Sequence, residues 1–451
     1  MSDKKSNILN GSIFLNLLFF TIPVILTGVL QLLYNAADVI IVGRVVGSQS
    51  LAAVGSTSSI THLFINLFIG LSAGTSVCVA RYIGEKDKES IEKTVHTSIM
   101  VALIGGVFLT IIGVIFSRTV LEFMKTPSDI LDEASLYMKI IFLGMPANLV
   151  YNFGAAILRA EGNTKTPLTY LAISGIINVI LNIIFVVYFN MRADGVALAT
   201  IISQVISAFL VITYLMRSGT DCRFYIKKLK IHGKMLIGIL KIGVPAGLQG
   251  MIFSISNVLI QSSINTFGSV VVAGNSASAN IEGFAYTAMN ATHQSMLTFV
   301  GQHIGAKKIS RIKKVISLGC LQVFMVGLIS SGLLLIFSRP LLSLYAPGKE
   351  AVINSGVNRL VVILSLYFLC GLMETIVGAT RGMGESLKPM IVSILGVCGI
   401  RILWIFTIFK IYHTPFSLYI SYPVSWFITL LLQLIFCINT YKKIKSEYNV
   451  Y

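Results

Sequence analysis

The chain alternates long apolar blocks with short polar stretches, and this pattern indicates its fold class. Blocks such as 99–116, 168–188 and 315–337 approach the roughly 20 residues that a helix needs to cross about 30 Å of hydrocarbon. Because every backbone N–H and C=O must be paired within that hydrocarbon, the blocks predict membrane-spanning helices. The spans fall near 14–41, 51–80, 95–116, 134–158, 168–190, 194–216, 238–266, 272–301, 315–337, 352–380, 389–411 and 415–438. We therefore predict an all-α integral membrane protein with about twelve transmembrane helices.

The second half of the chain repeats landmarks of the first half at a nearly constant offset. Those that recur after 221 or 222 positions are Pro23 with Pro245, Asn35 with Asn257, VARYIGEKDKESIEK from Val79 with VGQHIGAKKISRIKK from Val300, and LRAEGNTKTP ending at Pro167 with TRGMGESLKP ending at Pro389. Several matches in the same order indicate an internal duplication. The duplication predicts a six-helix lobe at 1–216, a linker loop at 217–237 and a second six-helix lobe at 238–451. Because each half holds an even number of helices, the two lobes share one orientation and flank a cleft suited to alternating access.

Composition narrows the class, and charge sets the orientation. Apolar residues make up 55% of the chain and charged residues 12%, which is too little charge to cover a soluble core of 451 residues. The net charge is +17, and basic residues concentrate on one side of the predicted membrane, among them Lys4, Lys5 and those of 81–93, 217–234 and 307–314. We expect the protein to lie in the plasma membrane. The positive-inside rule then places both termini and the linker loop in the cytoplasm. Since the basic residues are divided among loops, we expect contact with the lipid bilayer and with no nucleic acid.

Acidic residues inside the spans are the strongest candidates for function, because a carboxylate at the membrane centre costs about 2.5–3.5 kcal/mol even on lenient insertion scales. Asp38 is the acid of the first lobe, which also carries Asn152, Asn178, Asn182 and Thr200. The i, i+4 spacing of Asn178 and Asn182 puts both on one helix face. A carboxylate beside amide and hydroxyl oxygens suits a proton or Na⁺, since oxygen ligands replace the hydration shell of a hard cation. The alternative is that the amides only hydrogen-bond helix to helix.

The second lobe offers a different set of polar side chains. The sequence indicates no basic partner for Glu282, so we expect Glu282 to bind the cationic group of a substrate. Glu374 and Arg401 are expected to form a structural ion pair, since an intramembrane arginine usually has an acidic partner. The residues expected to complete the substrate site are Asn35, Asn257, Gln261, Tyr286 and Met289. For each of these, helix packing is the simpler alternative.

The landmarks resemble one known family. The stretch LYNAADVIIVG with Asp38, the loop LRAEGNTKTP, and the segments SINTFGS and FVGQHIGAKK are similar to those of the multidrug and toxic compound extrusion (MATE) family. The resemblance implies two six-helix lobes in a V shape around a central cleft, and export of organic cations driven by Na⁺ or H⁺. It also implies a coupling-cation site formed by Asp38, Asn152, Asn178, Asn182 and Thr200. The coupling ion stays open, because this chain has Asn182 where some members carry a second carboxylate and Phe253 where others carry a glutamate.

The sequence thus predicts a secondary active antiporter, not an enzyme, that exports small amphipathic or cationic organic compounds in exchange for Na⁺ or H⁺. We expect a functional monomer with no cofactor and no metal beyond a transported Na⁺, since the cysteines and histidines lack metal-binding spacing. A flippase for a lipid-linked or amphipathic metabolite is an alternative, but it would need basic residues for phosphates, and Arg401 is the one that the spans indicate. A membrane enzyme or scaffold is a weaker alternative, because neither an HExxH motif nor a phosphate-binding glycine loop occurs.

Overall fold

A computed structural model describes residues 8–448, and in that range the chain forms helices and turns without strands. The helices of the first half are α1 (Ile13–Ile41), α2 (Ser48–Glu85), α3 (Lys88–Phe123), α4 (Ser128–Leu143), α5 (Met145–Ala160), α6 (Lys165–Ile183) and α7 (Ala193–Arg217). Those of the second half are α8 (Gly233–Asn265), α9 (Ser269–Gly305), α10 (Ile309–Ile336), α11 (Ser338–Tyr345), α12 (Glu350–Leu364), α13 (Phe368–Gly382), α14 (Leu387–Ser393), α15 (Ile400–Phe406), α16 (Ile408–Ile411) and α17 (Pro415–Glu447). Short π-helical turns occupy Val42–Val46, Ile184–Tyr188 and Ile394–Gly399, and a 3-10 turn occupies Ile226–Lys228.

The lengths and hydropathy of the helices fit a membrane protein. Within the described range, nine segments are long and apolar enough to cross a membrane, and two bent pairs bring the number to 11. The bent pairs are α4 with α5, at 44°, and α12 with α13, at 48°. All of these segments coincide with predicted spans. The remaining predicted span, 272–301, lies in α9, which is 37 residues long but rich in serine and asparagine. The all-α membrane fold class is therefore confirmed.

The described residues divide into two compact units. The first unit comprises Leu26–Gly247, and the second comprises the residues up to Ile25 together with those from Leu248 onward. α1 and α8 therefore each contribute to both units. In each of these helices the division falls shortly after an internal proline, Pro23 in α1 and Pro245 in α8.

The predicted lobes, 1–216 and 238–451, follow chain order, whereas the compact units share α1 and α8. Hydropathy shows that a segment spans the membrane but carries no information on which helices it packs against. The division into lobes in chain order stays a prediction. Its ends, 1–7 and 449–451, lie outside the described residues, and so do Lys4 and Lys5.

In the first unit, α2, α3, α4, α5 and α7 pack around a core of large apolar side chains. Its fully buried members include Leu109, Phe142, Leu149 and Phe153. Lipid tails are as apolar as these side chains, so close packing rather than exclusion of water holds such a bundle together. The predicted linker 217–237 folds back onto α7, where the N–H of Phe224 donates to the carbonyl of Leu215 at 3.0 Å.

In the second unit, α9 is the central helix, and α10, α12 and α13 pack around it. The first turns of α1 also lie against α9. The rings of Phe20 and Phe299 meet edge to face with centroids 5.4 Å apart. The hydroxyls of Thr21 and Ser295 share a hydrogen bond of 2.8 Å. An edge-to-face aromatic pair contributes about 0.5–1.5 kcal/mol beyond the area it buries.

The duplication seen in the sequence is repeated in backbone geometry. Gly162 and Gly384 occupy matching loops and have φ of +91° and +94°. In both loops the glycine N–H donates to the carbonyl of the arginine three residues earlier, at 2.9 Å from Arg159 and 2.8 Å from Arg381. Glycine adopts a positive φ without the steric penalty that a Cβ imposes. The two loops therefore end their helices by the same turn.

Candidate functional site

Three helices of the first unit bring three polar residues together around Asp38 of α1. The Nδ2 of Asn182 donates to one carboxylate oxygen of Asp38 at 2.6 Å. The hydroxyl of Thr200 lies 3.4 Å from the other carboxylate oxygen. Asn178, one turn before Asn182 on α6, accepts from Asn182 at 3.2 Å and donates to Thr200 at 3.5 Å. Asp38, Asn178, Asn182 and Thr200 therefore form one connected group, which we call the Asp38 cluster.

The Asp38 cluster has the donor set of a site for a hard monovalent cation or a proton. Asn178 and Asn182 are 4% and 0% exposed, so the cluster lies inside the helix bundle. The Oδ1 of Asn182 is buried and has no hydrogen-bond partner among the residues that the structure describes. With the Asp38 carboxylate, the Asn178 carbonyl and the Thr200 hydroxyl, it supplies oxygen ligands of the kind that Na⁺ and similar hard ions prefer. Its single carboxylate is also the one group here that can take up a proton.

Two residues predicted for the first lobe lie apart from this cluster. The amide of Asn152 donates within its own helix, to the carbonyl and the Oδ1 of Asn148 at 2.9 and 3.1 Å. Asn35, one turn before Asp38, is exposed on α1. The structure thus joins four of the five residues expected to bind the coupling cation.

The cluster is flanked by two π-helical turns that the sequence did not reveal. Val42–Val46 follows Asp38 by one turn of α1, and Ile184–Tyr188 follows Asn182 directly on the helix that carries it. Val42, Val186 and Val196 pack together where these turns meet the start of α7. A π turn inserts one extra residue into a helix and is common at functional sites. Its apolar composition is that of an ordinary span, so hydropathy gives no signal for it.

The position of α1 beside α6 depends on a close contact between Tyr34 and Gly175. The hydroxyl of Tyr34 donates to the carbonyl of Ala172 at 3.3 Å. Its ring lies against Gly175, where an added Cβ would come within 1.8 Å of the Tyr34 ring. Since Tyr34 lies one turn before Asp38, and Gly175 one turn before Asn178, this contact aligns the two helices at the cluster.

The second unit holds Glu282, and the expectation that it has no basic partner is wrong. The Nη2 of Arg359, on α12, lies 2.7 Å from the Oε2 of Glu282, on α9. The Arg359 and Glu282 side chains are 5% and 13% exposed, so the ion pair is largely buried. Arg359 falls inside the predicted span 352–380, but the sequence does not show which helix its side chain meets. A substrate role for Glu282 stays a prediction, with its charge now balanced by a guanidinium.

The expected Glu374–Arg401 ion pair is not formed. The Nε of Arg401 donates to the hydroxyl of Ser425 at 2.9 Å, and its guanidinium stacks 4.0 Å from the ring centre of Tyr422. The carboxylate of Glu374 instead lies 3.5 Å from the Nδ1 of His293. An aromatic face and a hydroxyl satisfy an arginine in part, which is why charge pairing alone misplaced Arg401.

The other residues expected at a substrate site differ in exposure. Met289 is 1% exposed and belongs to the packed core of the second unit, so its substrate role stays a prediction. Tyr286 is 40% exposed and Asn257 is exposed as well. Gln261 is partly buried, donates to Asn265 at 2.9 Å and accepts from Asn275 at the same distance. Tyr286 and Asn257 therefore remain available to a ligand.

This chain combines a duplicated set of membrane helices with a buried polar cluster, and these features are typical of polytopic membrane transporters. A family model described as MatE matches the chain twice, at residues 23–184 and 245–407, which together exceed half of its length. The chain is 28% identical over 442 residues to a probable multidrug resistance protein, YoeA, of Bacillus subtilis (strain 168), covering 96% of this chain and 94% of that one. It is 25% identical over 398 residues to a second probable multidrug resistance protein of that strain, YpnP, covering 88% and 89%.

Structural comparison shows a shared fold. An outward-facing structure of a multidrug resistance MATE family transporter of the MOP superfamily matches with a TM-score of 0.91 at 22% identity, covering 99% of this chain and 100% of that one. The protein therefore belongs to the MATE family of multidrug efflux transporters, as its landmarks suggested. It is a multi-pass membrane protein and a transporter rather than an enzyme. The two matches of the family model also reproduce the offset between the sequence halves, which supports the internal duplication of this chain.

Proposed function

We propose that the protein is a secondary active antiporter that exports small amphipathic organic compounds in exchange for Na⁺ or H⁺. The observation that carries this proposal is the Asp38 cluster, in which one buried carboxylate is joined to amide and hydroxyl oxygens. A metal cation binds to a cluster of this kind when the oxygens of the cluster replace its hydration water, whereas a proton binds to the carboxylate alone. Either event changes the contacts among α1, α6 and α7, which links ion binding to their arrangement. The named relatives, described as probable multidrug resistance proteins, support drugs as substrates.

The same proposal covers the oligomeric state of the protein, its membrane and its orientation. The protein acts as a monomer in the plasma membrane with both termini in the cytoplasm, and it alternates access between the two sides. It needs no cofactor, because the free energy for export comes from the gradient of the coupling ion. Asp38 binds and releases the coupling cation or proton as the oxygens around its carboxylate move toward the ion and away from it.

The test uses purified protein in vesicles loaded with a fluorescent organic cation, with Na⁺ and pH gradients imposed separately. We expect the wild type to respond to one of the two gradients, which identifies the coupling ion. Asp38→Asn is expected to reduce driven efflux to the leak rate of protein-free vesicles. Asp129→Asn is the matched control, because the Asp129 side chain is exposed and its carboxylate is not part of the cluster. Driven efflux by the Asp38 variant at the wild-type rate would overturn the assignment.

A further inference from the structure

The second unit buries more positive than negative charge in one cluster of side chains. Glu282 pairs with Arg359 at 2.7 Å. Arg401 lies within electrostatic range of Glu282, and its guanidinium stacks on the ring of Tyr422. Tyr422 in turn interacts electrostatically with Arg359. Arg359 and Arg401 are 4% and 5% exposed. One carboxylate therefore serves two buried guanidinium groups, which leaves one net positive charge.

Neighbouring acids do not remove this excess charge. Glu374 is the other buried carboxylate described in these helices, and its electrostatic partner is Arg381. Arg381 also donates to the Oε1 of Gln249 at 2.8 Å. Among the described residues Glu374 forms no ion pair with Arg359 or Arg401, so the Glu282–Arg359–Arg401 group keeps its surplus. A buried charge without a counterion is strongly unfavourable, and proteins pair it or bind an ion there.

Hydrogen-bond donors of the same group lack partners. The Nε and Nη1 of Arg359 are buried and make no hydrogen bond among the described residues. The hydroxyl of Tyr419, a side chain that is 2% exposed, also has no partner among the described residues and lies within electrostatic range of Arg359. The Oε2 of Glu282 makes no hydrogen bond either, but it already faces the Nη2 of Arg359 at 2.7 Å. Buried polar groups of native proteins are almost always satisfied, so a set of orphaned donors indicates a missing acceptor. Because guanidinium nitrogens can only donate hydrogen bonds, the missing partner must carry acceptor atoms and is not a cation.

We propose that the second unit binds an anion, either a small inorganic anion or the carboxylate of an organic substrate, on the free donors of Arg359 and Tyr419. The anion neutralises the surplus charge and satisfies the orphaned donors at the same time. On α9, Glu282 is 13% exposed and Tyr286, one turn later, is 40% exposed, so the site lies close to the surface of this helix. This proposal is independent of the coupling ion, because it concerns binding at residues apart from the Asp38 cluster.

The proposal predicts opposite effects on anion binding for the loss of a hydrogen-bond donor and for the loss of the carboxylate. Tyr419→Phe removes one donor without changing charge, so it weakens anion binding, by about five- to tenfold for a single hydrogen bond. Glu282→Gln removes the competing carboxylate and leaves two unopposed guanidinium groups, so it strengthens anion binding. A cation-binding Glu282 predicts no such gain. The matched controls are Tyr412→Phe and Glu350→Gln, whose side chains are exposed and lie outside the site.

The experiment measures thermal unfolding of the full-length protein in lipid nanodiscs at constant Na⁺ and ionic strength. Isethionate, a bulky sulfonate, is replaced stepwise by chloride in one arm and by acetate in the other. We expect saturable stabilisation of the wild type and of both controls, a right-shifted midpoint for Tyr419→Phe and a left-shifted midpoint for Glu282→Gln. Stabilisation by chloride alone identifies an inorganic anion site, and stabilisation by acetate identifies a carboxylate site.

Two results would overturn the proposal. One is a wild-type unfolding temperature that does not depend on chloride or acetate, and the other is a midpoint that Glu282→Gln leaves unchanged or shifts to higher anion concentration. Asp38→Asn is included as a further variant and is expected to show the wild-type anion response. Failure of the coupling-site assignment and failure of the anion site are therefore separate outcomes.

Discussion

Among single residues, Gly175 carries no functional group yet determines where Asp38 lies. A Cβ at this position would come within 1.8 Å of the Tyr34 ring, far inside van der Waals contact. Overpacking of this kind typically costs about 1–3 kcal/mol and shifts the backbone nearby. Gly175→Ala is therefore expected to displace α1 from α6 and to impair driven efflux, although it changes no polar atom of the cluster.

Vesicle efflux and thermal unfolding of the same preparation measure this effect. Gly55→Ala is the matched control, because Gly55 also lies in a helix but an added Cβ meets nothing within 4 Å. The control is expected to keep wild-type efflux and to gain slightly in stability, since alanine favours helices by about 1 kcal/mol over glycine. Equal efflux from both variants would show that the Tyr34 contact does not position the site.

Asp87 is a second residue with a defined local effect, outside the membrane spans. It caps α3, accepting from the N–H of Ser90 at 3.1 Å and from the Ser90 hydroxyl at 2.6 Å. These hydrogen bonds lower the pKa of Asp87 below its usual value. A carboxyl with a lowered folded-state pKa stabilises the structure above its unfolded-state pKa of about 3.9 and loses that contribution as pH falls through the folded-state value.

Asp87→Ala is accordingly expected to destabilise the first turn of α3 by about 1 kcal/mol at neutral pH. Amide hydrogen exchange of residues 88–91 at pH 7 measures this as faster exchange in the variant. At a pH below the folded-state pKa of Asp87, the wild type should lose its advantage and the opening free energies of the two proteins should converge. A gap that persists unchanged in acid would mean that the carboxylate is not the stabilising group.

The residues of the functional site were predictable to different degrees. Asp38, Asn178 and Asn182 stand out because polar side chains are costly in a span and because i, i+4 spacing fixes their common face. Arg359 is equally conspicuous in the sequence, but its partner Glu282 lies on another helix, and no periodicity reports contacts between helices. Arg401 was misassigned for the same reason, since its stacking on Tyr422 depends on how α15 meets α17.

At the scale of elements, a buried histidine is one of the residues that attach the 217–237 linker to the first unit. The Nε2 of His96, on α3, accepts from the N–H of Tyr225 at 3.0 Å, and its Nδ1 donates to the carbonyl of Glu92 at 2.7 Å. The imidazole also lies 5.2 Å from the ring of Phe224. His96 is 1% exposed, so its removal leaves a cavity and an unpaired backbone N–H.

His96→Ala is therefore expected to release the linker and to expose its basic residues to trypsin. Limited proteolysis in nanodiscs measures the rate of cleavage between Arg217 and Lys234, which should rise several-fold over the wild type. His413→Ala is the control, because His413 is an exposed histidine near the end of α16. Unchanged cleavage in the His96 variant would show that the other contacts of the linker suffice to hold it.

Hydropathy placed the spans of this fold but not their irregularities. The breaks between α4 and α5 and between α12 and α13 occur at matching positions of the repeat, near Gly144 and Leu366, and bend by 44° and 48°. Each pair reads in sequence as one continuous apolar block. The bends and the π turns arise from packing against neighbouring helices, and such information is absent from a one-dimensional pattern.

For the whole molecule, the duplication determines the expected orientation in the membrane. Repeats of an even number of helices enter the membrane from the same side, so residues one repeat apart must face the same compartment. Glu89 and Ser310 are such a pair, each exposed in the first turn of its helix. Asp129 and Glu350 form a second pair, at the starts of α4 and α12. The excess of basic residues near the first pair predicts that it is cytoplasmic.

Single cysteines at these four positions, in a chain whose 6 native cysteines are replaced and whose efflux persists, test the orientation. With a membrane-impermeant maleimide, Asp129→Cys and Glu350→Cys should be labelled on intact cells. Glu89→Cys and Ser310→Cys should react only after permeabilisation. Labelling of Glu89→Cys and Ser310→Cys from opposite sides would require inverted repeats, and labelling of both on intact cells would reverse the orientation. Either result would contradict the positive-inside assignment, whereas the predicted pattern ties the duplication to the direction in which the protein exports its substrates.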